Sequence, residues 1–300
     1  MTIVSELLEV SRSTLYALSP AVCRMLSRRV LSRTLAVASV ASAVLSRLAG
    51  AQGAAAQTQL DEISVRGRAL AGYQRAALFA STQLMATNPD PGRVQRYVAY
   101  HADSGWVVAF GRLNSTRDTF YVSHIAIPAA INGRRVDSLF EFQTFSGSAP
   151  DTDFLVRAAR AMDVGVMTLG VTTRAYSAAA LPTENGDWWV YLTPAADVAS
   201  VWPFGDDVRY RISADGERVL ETHRMHVGMV EDVVARKGSR PAVGWHRASV
   251  RDLPEDSDVF HVVARRPPLP EVVVTRHHRY VVSVDGSIRY VQGKETVATR

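Results

Sequence analysis

Histidine and carboxylate side chains are concentrated between residues 221 and 261. Imidazole nitrogens and carboxylate oxygens are common ligands of zinc and similar divalent ions. The sequence requires no cofactor, but this stretch could hold a divalent metal ion, and a metal-dependent hydrolase is one function that it suggests. The candidate metal ligands are His223, His226, His246, Asp256 and Asp258.

The spacing of the first two histidines places a condition on such a site. Residues 217–226 are predicted to form the return strand of a β-hairpin, and residues three apart on a strand point to opposite faces. His223 and His226 can therefore share an ion only if the strand ends or bulges before His226. For residues 252–258 the alternative interpretation is an acidic surface loop around Pro254, capped by its own side chains.

The segment HRASVRDLPEDSD, residues 246–258, resembles part of the zinc-binding signature of JAB/MPN-type isopeptidases. That signature has two histidines one residue apart, followed by a serine and an aspartate. His246 matches the first histidine, and Asp256 or Asp258 matches the aspartate. Ala248 stands at the position of the second histidine, so one ligand is missing and the chain is not assigned to this family.

Aromatic residues suggest a second kind of site. The sequence DWWVYL places Trp188 and Trp189 on opposite faces of a predicted strand, so one of them could stack on a sugar or a peptide. Trp202, in VWPFG, is the third candidate ligand-binding residue, with a packed corner as the alternative. These residues favour a ligand- or partner-binding protein whose ligand could be a small molecule, a glycan or a protein.

Common catalytic motifs are absent from the sequence. It contains no G-x-S-x-G element, no phosphate-binding G-x-x-x-x-G-K-[ST] loop and no H-E-x-x-H pair. Cys23 is the only cysteine, and it lies in the N-terminal segment that we expect to be removed. The sequence therefore leaves open whether the protein is an enzyme.

Residues 1–51 have the organisation of an export signal. The basic stretch RMLSRRVLSR is followed by the apolar run TLAVASVASAVL and then by small residues. The apolar run is shorter than the roughly 20 residues that cross a bilayer, so no stable membrane span is expected after cleavage. We predict cleavage after Ala51, or as late as Ala56, and a periplasmic or extracellular location.

Within this leader, SRRVLSR at residues 27–33 resembles the twin-arginine translocation signal. The matching residues are Arg28, Arg29, Leu31 and Arg33. Ser32 replaces the usual second apolar residue. The resemblance implies export of an already folded protein by that translocation machinery, and an ordinary secretory signal is the alternative. Met25 is an alternative start to Met1.

Positive charge is concentrated in the leader as well. Its six arginines and two glutamates give +4 of the total formal charge of +5, which leaves +1 for the rest of the chain. A nearly neutral body provides no electrostatic reason to expect nucleic acid as a partner.

The remaining sequence predicts an α+β fold that is mainly antiparallel β-sheet with hairpins, plus two principal helices. Residues 57–92 are expected to contain an N-terminal helix that packs on the body, because apolar residues recur there every seven positions. A second helix is expected within 148–170, and residues 93–300 are expected to form a single α+β domain. The recurring segments RYRISADGERVL (209–220) and RYVVSVDGSIRY (279–290) predict two hairpins with Asp-Gly turns. A duplicated ligand motif is the alternative.

Overall fold

The computed structural model describes residues 56–195, 203–230, 243–248 and 250–291. The predicted export signal, with Cys23, and the candidate ligand-binding residue Trp202 lie outside the described residues. Within these ranges, no helix is both long enough and apolar enough to cross a membrane.

Helices combined with mainly antiparallel sheets confirm the predicted α+β class. The helices are α1 (residues 56–85), α2 (Phe154–Leu169) and α3 (Asp256–Ala264). The strands, in chain order, are β1 (Arg96–Ala102), β2 (Gly105–Leu113), β3 (Phe120–Ile131), β4 (Arg134–Asp151), β5 (Tyr176–Pro182), β6 (Trp188–Pro194), β7 (Phe204–Gly205), β8 (Val208–Ile212), β9 (Val219–Arg224), β10 (Met229–Val230), β11 (Gly244–Arg247), β12 (Glu271–Val274), β13 (Arg279–Val282) and β14 (Ile288–Val291).

The strands of the described ranges pair in four groups. The first sheet has the order β1-β2-β3-β4, the second β5-β6-β8-β9 and the third β11-β12-β13-β14, while β7 pairs with β10. All of these pairs are antiparallel except β11 with β12, which run parallel. The parallel pair matters for function because it brings residues near 246 beside residues near 271.

Apolar side chains of the helices fill the space next to the sheets. From α1, Leu70 and Leu84 pack in one cluster with Phe110 of β2, and α2 packs in a second cluster with strands of the first and second sheets. A third cluster joins Val259 of α3 to Val273 of β12. Because α3 is held by its apolar face against the third sheet, its polar first turn is placed at a fixed position.

The two Asp-Gly segments form the predicted hairpins, β8 to β9 and β13 to β14. The turns are longer than the two residues that the sequence suggests, because the hydrogen bonds from Ser213 to Arg218 and from Ser283 to Ser287 enclose four and three residues. The aspartate before each glycine instead accepts a backbone hydrogen bond from the residue two positions ahead. The repeated sequence is therefore explained by repeated turn chemistry.

Helix α3 is not predicted from the sequence. Pro254 and the surrounding acidic residues favour a loop interpretation of residues 252–258. In the structure, Pro254 precedes the N-cap residue Glu255, and Asp256 and Asp258 lie in the first turn of the helix. Negative side chains are favourable there because they face the positive end of the helix dipole.

Candidate metal centre

Three buried side chains converge beside the first turn of α3. His226, His246 and Asp258 each offer one ligand atom, and these atoms all lie within 4.8 Å of one another. The exposed fractions of the three residues are 3%, 4% and 0%. The Nε2 atoms of both histidines are 3.1 Å from the same carboxylate oxygen, Oδ1 of Asp258.

Local backbone structure explains how the three residues meet. Strand β9 ends at Arg224, so His226 lies beyond the strand. Its side chain therefore does not follow the alternation of faces that would point it away from the site. His246 is the third residue of β11, and Asp258 is in the first turn of α3. The condition that the sequence sets for His226, a strand that ends before it, is met.

Carboxylates on the far side of each imidazole fix the orientation of the rings. Nδ1 of His226 lies 2.9 Å from Oδ1 of Asp207, and Nδ1 of His246 lies 2.6 Å from Oε1 of Glu271. An ionised carboxylate can only accept a hydrogen bond, so Nδ1 carries the proton in both rings. In a neutral ring, Nε2 is then left with a lone pair directed toward the centre.

The carboxylate of Asp258 is also held in place. Its Oδ2 accepts a hydrogen bond from the backbone N–H of Glu255 at 2.7 Å, which closes the first turn of α3. Its Oδ1 is left to face the two histidines. The three converging atoms therefore belong to side chains whose rotation is already restricted, as expected for a preorganised site.

The converging atoms require a positive charge between them. A lone pair on each Nε2 would repel the lone pairs of Oδ1 at 3.1 Å. Two protons, one on each ring, or a single divalent cation would satisfy the electrostatics equally. With two ring protons or with one divalent cation, the cluster that includes the three carboxylates of Asp207, Asp258 and Glu271 has a net charge of about −1.

The separations of the converging atoms suit a metal ion as well as protons. Although the distances are short, neither Nε2 nor Oδ1 makes a hydrogen bond of acceptable geometry within the described part of the chain. Ligand atoms about 2.0 Å from a tetrahedral ion are roughly 3.3 Å apart, close to the observed 3.1 Å separations. The two Nε2–Oδ1 separations and the donor types therefore fit a zinc-type ion.

Without an ion, the same carboxylates favour protonated histidines. Burial opposes the charged form, but the charge of Asp258 and the hydrogen bond to Asp207 raise the pKa of His226 to about 11. Burial likewise opposes protonation of His246, and its contacts with Asp258 and Glu271 raise its pKa to about 9. Burial would raise the pKa of Asp258, but the two histidines hold it well below its usual range.

Two candidate ligands lie outside this cluster. Nε2 of His223 is 3.0 Å from Oε2 of Glu255, and the other oxygen of Glu255, Oε1, accepts a hydrogen bond from Arg251. Asp256 is fully buried, but it points to a separate group and binds Arg66 and Arg209. The structure therefore brings together three of the five candidate metal ligands.

The tryptophan candidates have their rings covered by neighbouring side chains. Trp188 is 2% exposed, donates its indole N–H to the carbonyl of Ala214, and packs against Phe154 at 5.2 Å between ring centroids. Trp189 is half-buried, and the guanidinium of Arg209 lies 4.3 Å from its ring centroid. Both rings thus have neighbours in the described structure that account for their positions.

Asp207, Glu271 and Phe204 belong to the site but are not among the sequence candidates. Phe204 packs on the rings of His226, His246 and His261 at centroid distances of 4.6, 4.9 and 4.6 Å, and so forms an apolar wall. Glu271 could have been suspected, because it begins the apolar strand sequence EVVV and would be buried there. Nothing in the local sequence distinguishes Asp207 from its neighbour Asp206.

Comparisons of the chain with models of known protein families, with curated proteins and with solved structures found no match. Its function is therefore inferred from the geometry of His226, His246 and Asp258.

Proposed function

We propose that this protein is an exported metal-binding protein that holds one zinc-type ion between His226, His246 and Asp258. The observation that supports this most strongly is the convergence of two imidazole Nε2 atoms and one carboxylate oxygen in a buried position. Both rings are oriented by carboxylates that leave Nε2 available. Support for export comes from the arrangement of basic, apolar and small residues in the leader.

The ion would cross-link three segments that are separate in the sequence. His226 follows β9, His246 is in β11 and Asp258 is in α3. The chain beyond the leader contains no cysteine, so a disulfide cannot supply this cross-link. Because the unfolded chain lacks a preformed site, the free energy of metal binding adds to the stability of the fold.

Purified mature protein is expected to contain about one zinc-type ion per chain, as measured by inductively coupled plasma mass spectrometry. His226→Ala and His246→Ala each remove one of three ligands, and we expect each to weaken zinc binding by more than roughly 100-fold. His223→Ala is the matched control, since it removes the same atoms from a histidine outside the cluster and should retain zinc. A metal-free wild-type protein whose stability ignores both zinc and chelator would contradict the proposal.

Zinc binding at pH 7 is expected to release about two protons, because both histidines are protonated in the ion-free protein and coordination requires neutral rings. The apparent affinity should then rise about 100-fold per pH unit near neutrality. Isothermal titration calorimetry in buffers of different ionisation enthalpy measures the released protons. Zinc binding without proton release would show that the ion is not held by these two rings.

Metal-dependent hydrolysis is the second candidate function. Within the described residues, three ligand groups meet at the centre, and three protein ligands plus a water is the usual arrangement of catalytic zinc sites. The test is zinc-dependent cleavage of a panel of ester, amide and phosphoester substrates. Activity lost in His246→Ala and kept in His223→Ala would support hydrolysis, whereas a zinc-loaded protein without turnover would reject it and leave metal binding unaffected.

A further inference from the structure

A cavity of about 350 Å³ lies on the third sheet and is rich in cationic side chains. Its polar lining comes from Arg247, Thr275, Arg276, His277, His278 and Arg279. Tyr290, which is 46% exposed, contributes an aromatic wall. The volume is within the range of small-molecule sites, which is roughly 300–1,000 Å³.

Strand pairing explains why two of the arginines face each other across the cavity. Val274 of β12 pairs with Arg247 of β11 on one side and with Arg279 of β13 on the other. Residues directly opposite each other on paired strands point to the same face of a sheet. Arg247 and Arg279 therefore project from one row, separated by a single strand, with Val274 between them.

This arrangement brings like charges together without an internal counter-ion. Within the described residues, Arg247, Arg276 and Arg279 form no ion pair with a carboxylate, in contrast to Arg66 and Arg209. Because Val274 lies between them, Arg247 and Arg279 start two strand spacings apart, roughly 10 Å, which leaves room for a small anion to contact both guanidinium groups.

An acidic residue, Asp252, contacts the histidines of the cavity lining. Asp252 accepts hydrogen bonds from the backbone N–H of His277 at 3.1 Å and from Nδ1 of the same ring at 2.7 Å, so its charge is already engaged. The ring of His278 packs against Tyr290 with centroids 5.4 Å apart, and its Nδ1 is buried with no hydrogen-bond partner in the described structure. The cavity thus presents unpaired polar groups beside its positive charges.

We propose that this cavity binds a phosphate monoester, with Arg247 and Arg279 holding the phosphate from either side. Guanidinium groups match the geometry of phosphate oxygens and bind them in pairs. The same phosphate chemistry could come from a soluble metabolite or from a lipid headgroup. The proposal goes beyond metal binding and does not depend on it.

The test uses the full mature protein at low ionic strength, where screening of the charges is weak. Calorimetric titration with glycerol 3-phosphate is expected to show binding to the wild type. In a second arm, sedimentation with phosphatidylcholine vesicles, with and without phosphatidic acid, tests the lipid source. The variant Arg247→Gln/Arg279→Gln is expected to bind at least roughly tenfold more weakly in whichever arm shows binding.

Arg289→Gln and Arg224→Gln, combined in one protein, form the matched control. These exposed arginines are on β14 and β9, do not line the cavity, and change the net charge by the same amount. Retained binding in this control, with loss in the cavity variant, supports the proposal, and binding to only one of the two probes identifies the source. The proposal would be overturned if the wild type bound neither probe, or if both variants were weakened equally. Binding to pure phosphatidylcholine vesicles would overturn it as well. Urea unfolding verifies that the variants are folded.

Discussion

Replacing Asp258 by asparagine is expected to abolish the stabilisation of the fold by zinc and to lower the free energy of unfolding by several kcal/mol. Asp258 is fully buried, and its Oδ1 faces Nε2 of both His226 and His246. Asparagine keeps the size and can still accept the N–H of Glu255, but it removes the charge. Removing one partner of a buried ion pair costs on the order of 3–5 kcal/mol.

Urea unfolding in the presence of zinc and of a chelator separates the two parts of this effect. Zinc at 1,000 times its dissociation constant should add about 4 kcal/mol to the unfolding free energy of the wild type and nothing to that of the variant. Asp103→Asn provides the control, since it makes the same atomic change on an exposed residue. If Asp258→Asn kept the wild-type response to zinc, Asp258 would not be a ligand.

Replacing Asp256 by asparagine is expected to be as destabilising as Asp258→Asn, at about 3–5 kcal/mol, while leaving the response of stability to zinc intact. One oxygen of Asp256 lies 3.0 Å from Nε of Arg66 and 2.6 Å from Nη1 of Arg209, and it accepts a hydrogen bond from the hydroxyl of Tyr191 at 2.8 Å. The substitution leaves two largely buried guanidinium groups without their carboxylate. Urea unfolding with and without zinc, again beside Asp103→Asn, measures both quantities.

The contribution of Asp256 should depend on pH. Burial would raise the pKa of its carboxyl, but Arg209 and Arg66 outweigh burial and hold the pKa below its usual value. Stability from a carboxylate with a lowered pKa is present above the unfolded-state pKa of about 4 and is lost as pH falls through the folded-state pKa. The difference between wild type and Asp256→Asn should therefore shrink on acidification. A difference that stays constant down to about pH 3 would contradict this account.

Much of the fold follows from short-range patterns in the sequence. The seven-residue recurrence of Ile63, Leu70, Ala77 and Leu84 predicts α1, and all four side chains are buried. The Asp-Gly hairpins follow from alternation and turn chemistry. The short helix α3 is missed because its acidic first turn and Pro254 are equally compatible with a loop, and its apolar face is stabilised by contacts with a distant strand.

The candidate metal centre is only partly predictable because, like α3, it depends on contacts between residues that are distant in the sequence. Residue types give five candidates, but they cannot separate His226 from His223 or Asp258 from Asp256. Two residues apart on a helix, the two aspartate side chains point in widely different directions, so only the orientation of α3 decides which one meets the histidines. Asp207 and Glu271 are recruited by strand ends that are near the centre in space but not in sequence.

The most direct test of the metal centre is an anomalous difference map from zinc-loaded crystals, collected on both sides of the zinc absorption edge. We expect a single strong peak about 2.0–2.2 Å from Nε2 of His226, Nε2 of His246 and Oδ1 of Asp258. A map without a peak at this position, with both Nε2 atoms donating directly to Asp258 in crystals grown with zinc, would show that protons rather than a metal ion occupy the centre.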